Sequence, residues 1–128
     1  MGVTVFKFEY PGSTEQFIEK VNAWMTATNE GKRYHVTNPE EGTILKIQRG
    51  KGLMTAPIIF EFEIGSAIGL STDFLAKGYI HVFAIKRIKQ DLRSDAKISG
   101  LPRRNGWKDM LKLLDHVEVS NYEHIFQP

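Results

Sequence analysis

Residues 78–89 (GYIHVFAIKRIK) restrict the fold more than any other segment, because as a β-strand they are apolar on both faces for most of their length. Side chains alternate between the two faces of a strand, so Ile80 and Val82 share one face while Tyr79 and His81 share the other. The β-branched and aromatic residues of the first half favour a strand over a short buried helix. A strand with two apolar faces is typical of the middle of a sheet. We therefore predict a central strand over this segment.

The length and composition are those of a single globular domain spanning residues 1–128. The chain is 41% hydrophobic and 25% charged, which is enough for one buried core. It has no cysteine, which excludes disulfides, thiolate metal sites and cysteine nucleophiles and favours an intracellular protein. The N-terminus lacks the pattern of a signal peptide, and no apolar run approaches the roughly 18 residues that span a bilayer. We expect a soluble, cytoplasmic protein without a membrane segment.

Two helices are indicated by apolar residues at helical spacing. The first begins at an N-cap, Ser13, where Gln16 completes a capping box, and continues to about Thr28. The second covers residues 105–117. Its expected buried stripe consists of Trp107, Met110, Leu111, Leu114 and Val117.

Four further segments alternate between apolar and polar residues or have a short extended pattern, which predicts strands. They are residues 3–10, 32–37, 43–49 and 57–64. In the last of these, the even-numbered positions are apolar and are expected to face the core, whereas Glu61 and Glu63 are expected to face solvent. Residues 65–77 either extend that strand past a bulge at Gly65 or contain a short helical turn. Residues 119–126 form either an edge strand or a packed turn.

The order of the predicted elements gives a two-layer β-α-β(4)-α domain of the α+β class, with a mainly antiparallel sheet and both helices on one face. This arrangement is similar in outline to the helix-grip and TATA-binding-protein-like folds. The similarity implies a topology and carries no functional residues. With the helices on the face of Ile80 and Val82, the other face would be open, curved around a ligand cavity, or covered by a partner.

Positive charge is concentrated late in the chain. Residues 77–112 carry 10 basic and 3 acidic groups, a net charge of +7, whereas residues 1–76 and 113–128 have net charges of −2 and −3. Such asymmetry supports an anion-binding or nucleic-acid-binding face, although a solvated loop and helix surface would give the same pattern. The candidate binding residues are Lys86, Arg87, Lys89, Arg93, Lys97, Arg103, Arg104, Lys108 and Lys112.

Two binding functions follow from these patterns. In the first, the basic residues contact the phosphates of a nucleic acid while Tyr79 or Phe83 stacks on its bases. In the second, an aromatic sheet face forms a pocket for a small apolar ligand or a contact with a protein partner, including a second copy of the chain. The candidate residues of that face are Phe6, Phe8, Tyr79, His81 and Phe83.

An enzyme is the less favoured alternative. Glu61 and Glu63 would be a conceivable acid and base pair, but the alternation of a half-buried strand explains them equally well. The four histidines have no metal-binding spacing, and no nucleophile motif is present. We expect no catalytic residues, metal or cofactor. Of the four histidines, His81 is the strongest candidate for a functional role, because it lies among aromatic residues in the predicted central strand.

Overall fold

An antiparallel sheet carries both helices on one face, which confirms the predicted α+β class. The computed structural model describes residues 2–51, 56–68, 71–82, 88–97 and 100–128. In that part of the chain the sheet has seven strands, in the order β2-β3-β4-β5-β1-β7, and β6 pairs with β5. The strands are β1 Val3–Tyr10, β2 Tyr34–Thr37, β3 Leu45–Arg49, β4 Ile58–Ile68, β5 Ser71–Val82, β6 Ile88–Asp91 and β7 Tyr122–Gln127. The helices are α1 Thr14–Ala27 and α2 Gly100–His116, and a 3₁₀ turn spans Gly31–Arg33.

The first helix forms as predicted. The side-chain oxygen of Ser13 accepts a hydrogen bond from the backbone N–H of Gln16 at 3.2 Å, and the Gln16 side chain accepts one from the Ser13 N–H at 2.8 Å. This capping box satisfies two backbone donors that the first turn would otherwise leave unpaired. Phe17, Val21 and Trp24 form the buried stripe. The ring of Phe17 packs against Phe62 and Phe74 of the sheet.

The second helix begins at Gly100, earlier than the predicted residue 105. Pro102 lies in the first turn, where a proline costs no helical hydrogen bond, so the helix can begin before it. The buried positions include Asp109 and Leu113, which the predicted stripe omitted, while Trp107 is only half-buried.

The prediction of one strand over residues 78–89 is wrong. β5 ends at Val82 and β6 begins at Ile88, and these two residues are antiparallel partners. Residues 83–87 of the predicted strand lie outside the described residues, and their sequence has no glycine or proline to signal a turn. β5 instead extends back to Ser71. Among the described residues, five strands lie between the helices, whereas the sequence predicted four.

The described residues after position 64, 65–68 and 71–77, are extended, which decides between the two alternatives for residues 65–77. The register of β4 and β5 shifts between Ile64 and Ser66, as expected for a bulge at Gly65, and β4 continues to Ile68. The alternative of a helical turn is wrong. At the C-terminus the edge-strand alternative is confirmed, because β7 pairs with β1.

Pairing register assigns side chains to the two faces, because residues directly opposite in antiparallel strands share a face. Phe6, Ala76 and Phe62 form one such row. Phe17 of α1 contacts Phe62 at a centroid distance of 5.4 Å, and Trp107 of α2 contacts Phe6 at 5.6 Å. Both helices thus cover this face, as predicted.

Glu61 is buried, which corrects the prediction that it faces solvent. It lies on the face opposite the helices, is only 5% exposed and accepts a hydrogen bond of 2.7 Å from the Tyr79 hydroxyl. Lys46 Nζ lies 3.7 Å from its carboxylate, and the neighbouring Glu63 pairs with Lys77 at 3.0 Å. Alternation alone does not separate a solvated face from one where neighbouring strands supply partners for the charges.

Candidate nucleic-acid interface

The structure divides the predicted basic residues among different surfaces. Lys86 and Arg87, with the aromatic candidate Phe83, lie outside the described residues. Lys89 is exposed and faces away from the helices, since it pairs with His81, and its Nζ lies 4.6 Å from the centroid of the Tyr79 ring. Lys89 therefore does not share a surface with the cations of α2.

Two of the predicted cations are held by one carboxylate. Arg93 binds both carboxylate oxygens of Asp91 at 3.1 Å, and Arg103 donates to the Asp91 carbonyl at 2.7 Å and to its carboxylate. Burial by itself raises the pKa of Asp91, but the hydrogen bonds from the two guanidinium groups outweigh it and hold that pKa below its usual value. The Asp91 carboxylate in turn raises the pKa of Arg93. These contacts join the segment after β6 to the first turns of α2.

The remaining cations of α2 and its preceding loop are exposed. Lys112 forms an ion pair with Glu30, at 2.7 Å. Lys97, Arg104 and Lys108, which we call the cation cluster, form no ion pair with any residue in the described ranges. No carboxylate of the described residues therefore forms a direct ion pair with these three positive charges.

The cation cluster is brought together by the helix and one hydrogen bond. Arg104 and Lys108 are four residues apart on α2, so they lie on the same side of the helix, about 6 Å apart along its axis. Arg104 Nη1 donates to the carbonyl of Ala96 at 3.0 Å, which holds the loop residue Lys97 close to the helix. The arrangement offers several cations to one extended anion.

Sequence reasoning missed a set of aromatic side chains beside this cluster. Tyr122, His124 and Phe126 lie on the helix-covered face of β7 and, with Trp107 of α2, form what we call the aromatic edge. Tyr122 is 37% and Phe126 39% exposed. The alternation of these residues in the C-terminal segment was the signal that could have identified them.

The aromatic edge adjoins the cation cluster. The Phe126 ring lies 6.2 Å from that of Trp107, and the guanidinium carbon of Arg93 lies 4.3 Å from the Phe126 centroid. Trp107 follows Arg104 by three residues on α2, so the Trp107 ring and the Arg104 side chain are neighbours on the helix surface. Trp107 therefore links the Phe126 end of the aromatic edge to the helix surface that carries Arg104.

The four described residues of the predicted ligand or partner face do not share one surface. Phe6 and Phe8 lie in the core under the helices, at 0% and 5% exposed, whereas Tyr79 and His81 lie on the opposite face. Tyr79 is itself 1% exposed. Burial raises its pKa far above the usual range, and the hydrogen bond to Glu61 adds to the effect. It is not available for stacking.

A groove of about 700 Å³ lies between β1, β5 and β7. Its lining includes the charged side chains of Lys7, Glu9, Asp73 and Glu123. It is therefore not the apolar pocket that a hydrophobic ligand requires.

Neither a metal centre nor a membrane span is found in the described ranges. No group of three or more His, Asp or Glu side chains there is arranged to hold a metal ion. Within the same ranges, no helix is long and apolar enough to cross a bilayer. The chain matches no protein-family model, no curated protein and no solved structure. The similarity in outline to helix-grip and TATA-binding-protein-like folds stays a prediction.

Proposed function

We propose that this protein is a non-enzymatic nucleic-acid-binding domain whose cation cluster contacts phosphate groups. The observation that carries this proposal is the exposure of three neighbouring cations without an ion pair in the part of the chain that the structure describes. Phosphate contacts supply most of the affinity of sequence-independent binding to nucleic acids. The cluster supplies the charges that such contacts need.

The charge pattern around the cluster favours this function over the pocket alternative. Asp91 is already neutralised by Arg93 and Arg103, so it leaves a positive balance at this end of α2. The pocket alternative depended on an exposed aromatic sheet face, but two of its members, Phe6 and Phe8, are buried in the core.

The test is an amide chemical-shift titration of the labelled protein with a mixed-sequence single-stranded oligonucleotide. We expect shifts at residues 97–112 and a loss of affinity with salt. For three phosphate contacts on a single strand, a plot of the logarithm of the binding constant against the logarithm of the salt concentration has a slope of about −2. Binding is then about 20-fold weaker at about 200 mM salt than at about 50 mM. Binding that is insensitive to salt, or shifts confined to the β1–β5–β7 groove, would contradict the proposal.

A pair of charge reversals tests the location. Lys108→Glu should weaken oligonucleotide binding about tenfold. It should also reduce the steepness of the salt dependence by the amount that about one phosphate contact contributes. Lys7→Glu is the matched control, because Lys7 is also exposed but lies on the face of β1 that points away from the helices. Both variants change the net charge equally. Equal losses of affinity would show that total charge, rather than the cation cluster, determines binding.

A further inference from the structure

We infer that this surface takes single-stranded nucleic acid in preference to a duplex, with unpaired bases stacking on the aromatic edge. The inference rests on the proposed function and adds the class of nucleic acid. It follows from the position of β7, whose exposed Phe126 ring lies beside Trp107 of α2 and the guanidinium group of Arg93.

The rings are positioned and accessible. Tyr122 packs against the buried Phe6 at a centroid distance of 5.7 Å, and Phe126 packs against Trp107, yet more than a third of each β7 ring residue stays exposed. Their neighbours in the core hold them in place, so a base stacking on them orders few additional side chains. Rigid aromatic groups bind with a small loss of conformational entropy.

The guanidinium group of Arg93 extends this platform. It lies 4.3 Å from the centroid of the Phe126 ring and is fixed along its N–H edge, through Nε and Nη2, by both oxygens of Asp91. Bases stack on guanidinium planes as well as on aromatic rings. Arg93 thus presents a planar surface whose orientation is already set.

Only an unpaired strand uses such a platform. In a duplex, each base is covered by its neighbours on both faces, so the rings have no base to contact and only phosphate contacts remain. In a single strand the phosphates reach the cation cluster while splayed bases reach the rings. Stacking contributes about 1–3 kcal/mol per base, which corresponds to a preference of about fivefold or more for one stacked base.

The experiment compares one mixed-sequence RNA strand, alone and annealed to its complement, by fluorescence anisotropy with the full chain at the same salt concentration. We expect the single strand to bind at least about fivefold more tightly. Equal or tighter binding of the duplex overturns the inference and leaves the proposed function standing. Binding of neither form at low salt overturns both.

Intrinsic fluorescence provides an independent readout. The chain has two tryptophans; Trp24 is buried at 1% exposed, so quenching by bound bases reports on Trp107. We expect quenching by the single strand and little by the duplex. A bound single strand that leaves the fluorescence unchanged would place the bases away from the aromatic edge and overturn the inference.

Two substitutions separate stacking from charge. Tyr122→Leu combined with Phe126→Leu keeps apolar side chains on β7 but removes the rings, and should weaken single-strand binding about fivefold or more without changing duplex binding. Ile125→Leu is the matched control, since Ile125 is on the same strand, is 43% exposed and points to the other face. Unchanged single-strand affinity in the double variant overturns the inference.

Discussion

The two faces of the sheet are buried by different means. On the helix-covered face, Phe62 and Phe74 are fully buried around Phe17 of α1, at centroid distances of 5.4 and 4.3 Å. On the opposite face, Tyr79 and Glu61 are almost as buried but satisfy each other through a hydrogen bond of 2.7 Å. Apolar packing depends on filled volume, whereas a buried polar pair depends on both partners being present. The two faces should therefore respond differently to substitution.

The largest expected effect is on the helix-covered face. Phe62→Ala removes a fully buried ring and leaves a cavity under α1, which should lower the free energy of unfolding by about 3–5 kcal/mol. Urea denaturation monitored by circular dichroism measures the change. Ile64→Ala, on the same strand and face but 43% exposed, is the control and should cost about 1 kcal/mol or less. Equal losses would show that this face is not the packed core.

On the opposite face a smaller and chemically different loss is expected. Tyr79→Phe preserves the ring but removes the hydroxyl donor of the buried Glu61 carboxylate, which should cost about 1–3 kcal/mol in the same denaturation experiment. Tyr122→Phe removes a hydroxyl from an exposed side chain and should change stability by about 0.5 kcal/mol or less. If Tyr79→Phe and Tyr122→Phe lower the free energy of unfolding equally, the hydrogen bond between Tyr79 and Glu61 makes no specific contribution to stability.

The smallest effect is a pH dependence at Asp91, which links a sheet strand to α2. Its pKa in the folded protein is below the ordinary value of 3.8, so the unfolded chain binds the proton more readily. The stabilisation is therefore present above pH 3.8 and is lost as the pH falls through the lower, folded pKa.

Acid denaturation of two variants measures this dependence. Asp91→Asn should be less stable than the wild type at neutral pH and should lose less stability on acidification. The control is Asp95→Asn, at an exposed position in the following loop. Parallel pH profiles for Asp91→Asn and the wild type would contradict a role for the two arginine contacts.

Elements specified by neighbouring residues were predictable. The capping box of Ser13 and Gln16 and the following apolar stripe identify α1, because both depend on residues within one or two helical turns. β1 likewise matches its predicted range. Of the site, the sequence predicted the exposed cations Lys97, Arg104 and Lys108, because charged residues at helix-surface positions stay in water.

Pairing between distant residues was not predictable from the pattern. The partnership of Val82 with Ile88 ends β5 without a glycine or proline signal. Asp91 forms ion pairs with Arg93 and Arg103 but not with Lys108. The sequence pattern does not distinguish these three basic residues from one another. These choices depend on which side chains the fold brings within a few ångströms.

The sequence by itself determined the α+β class, the first helix with its cap and the concentration of cations before and along α2, since local periodicity and composition fix these features. Only the tertiary structure decided that Glu61 is buried against Tyr79 and that Phe126 stands beside Trp107 and Arg93. The physical reason is that burial and ion pairing are properties of contacts between strands and helices far apart in the chain. A local pattern specifies which side of an element is apolar, and the fold specifies what that side meets.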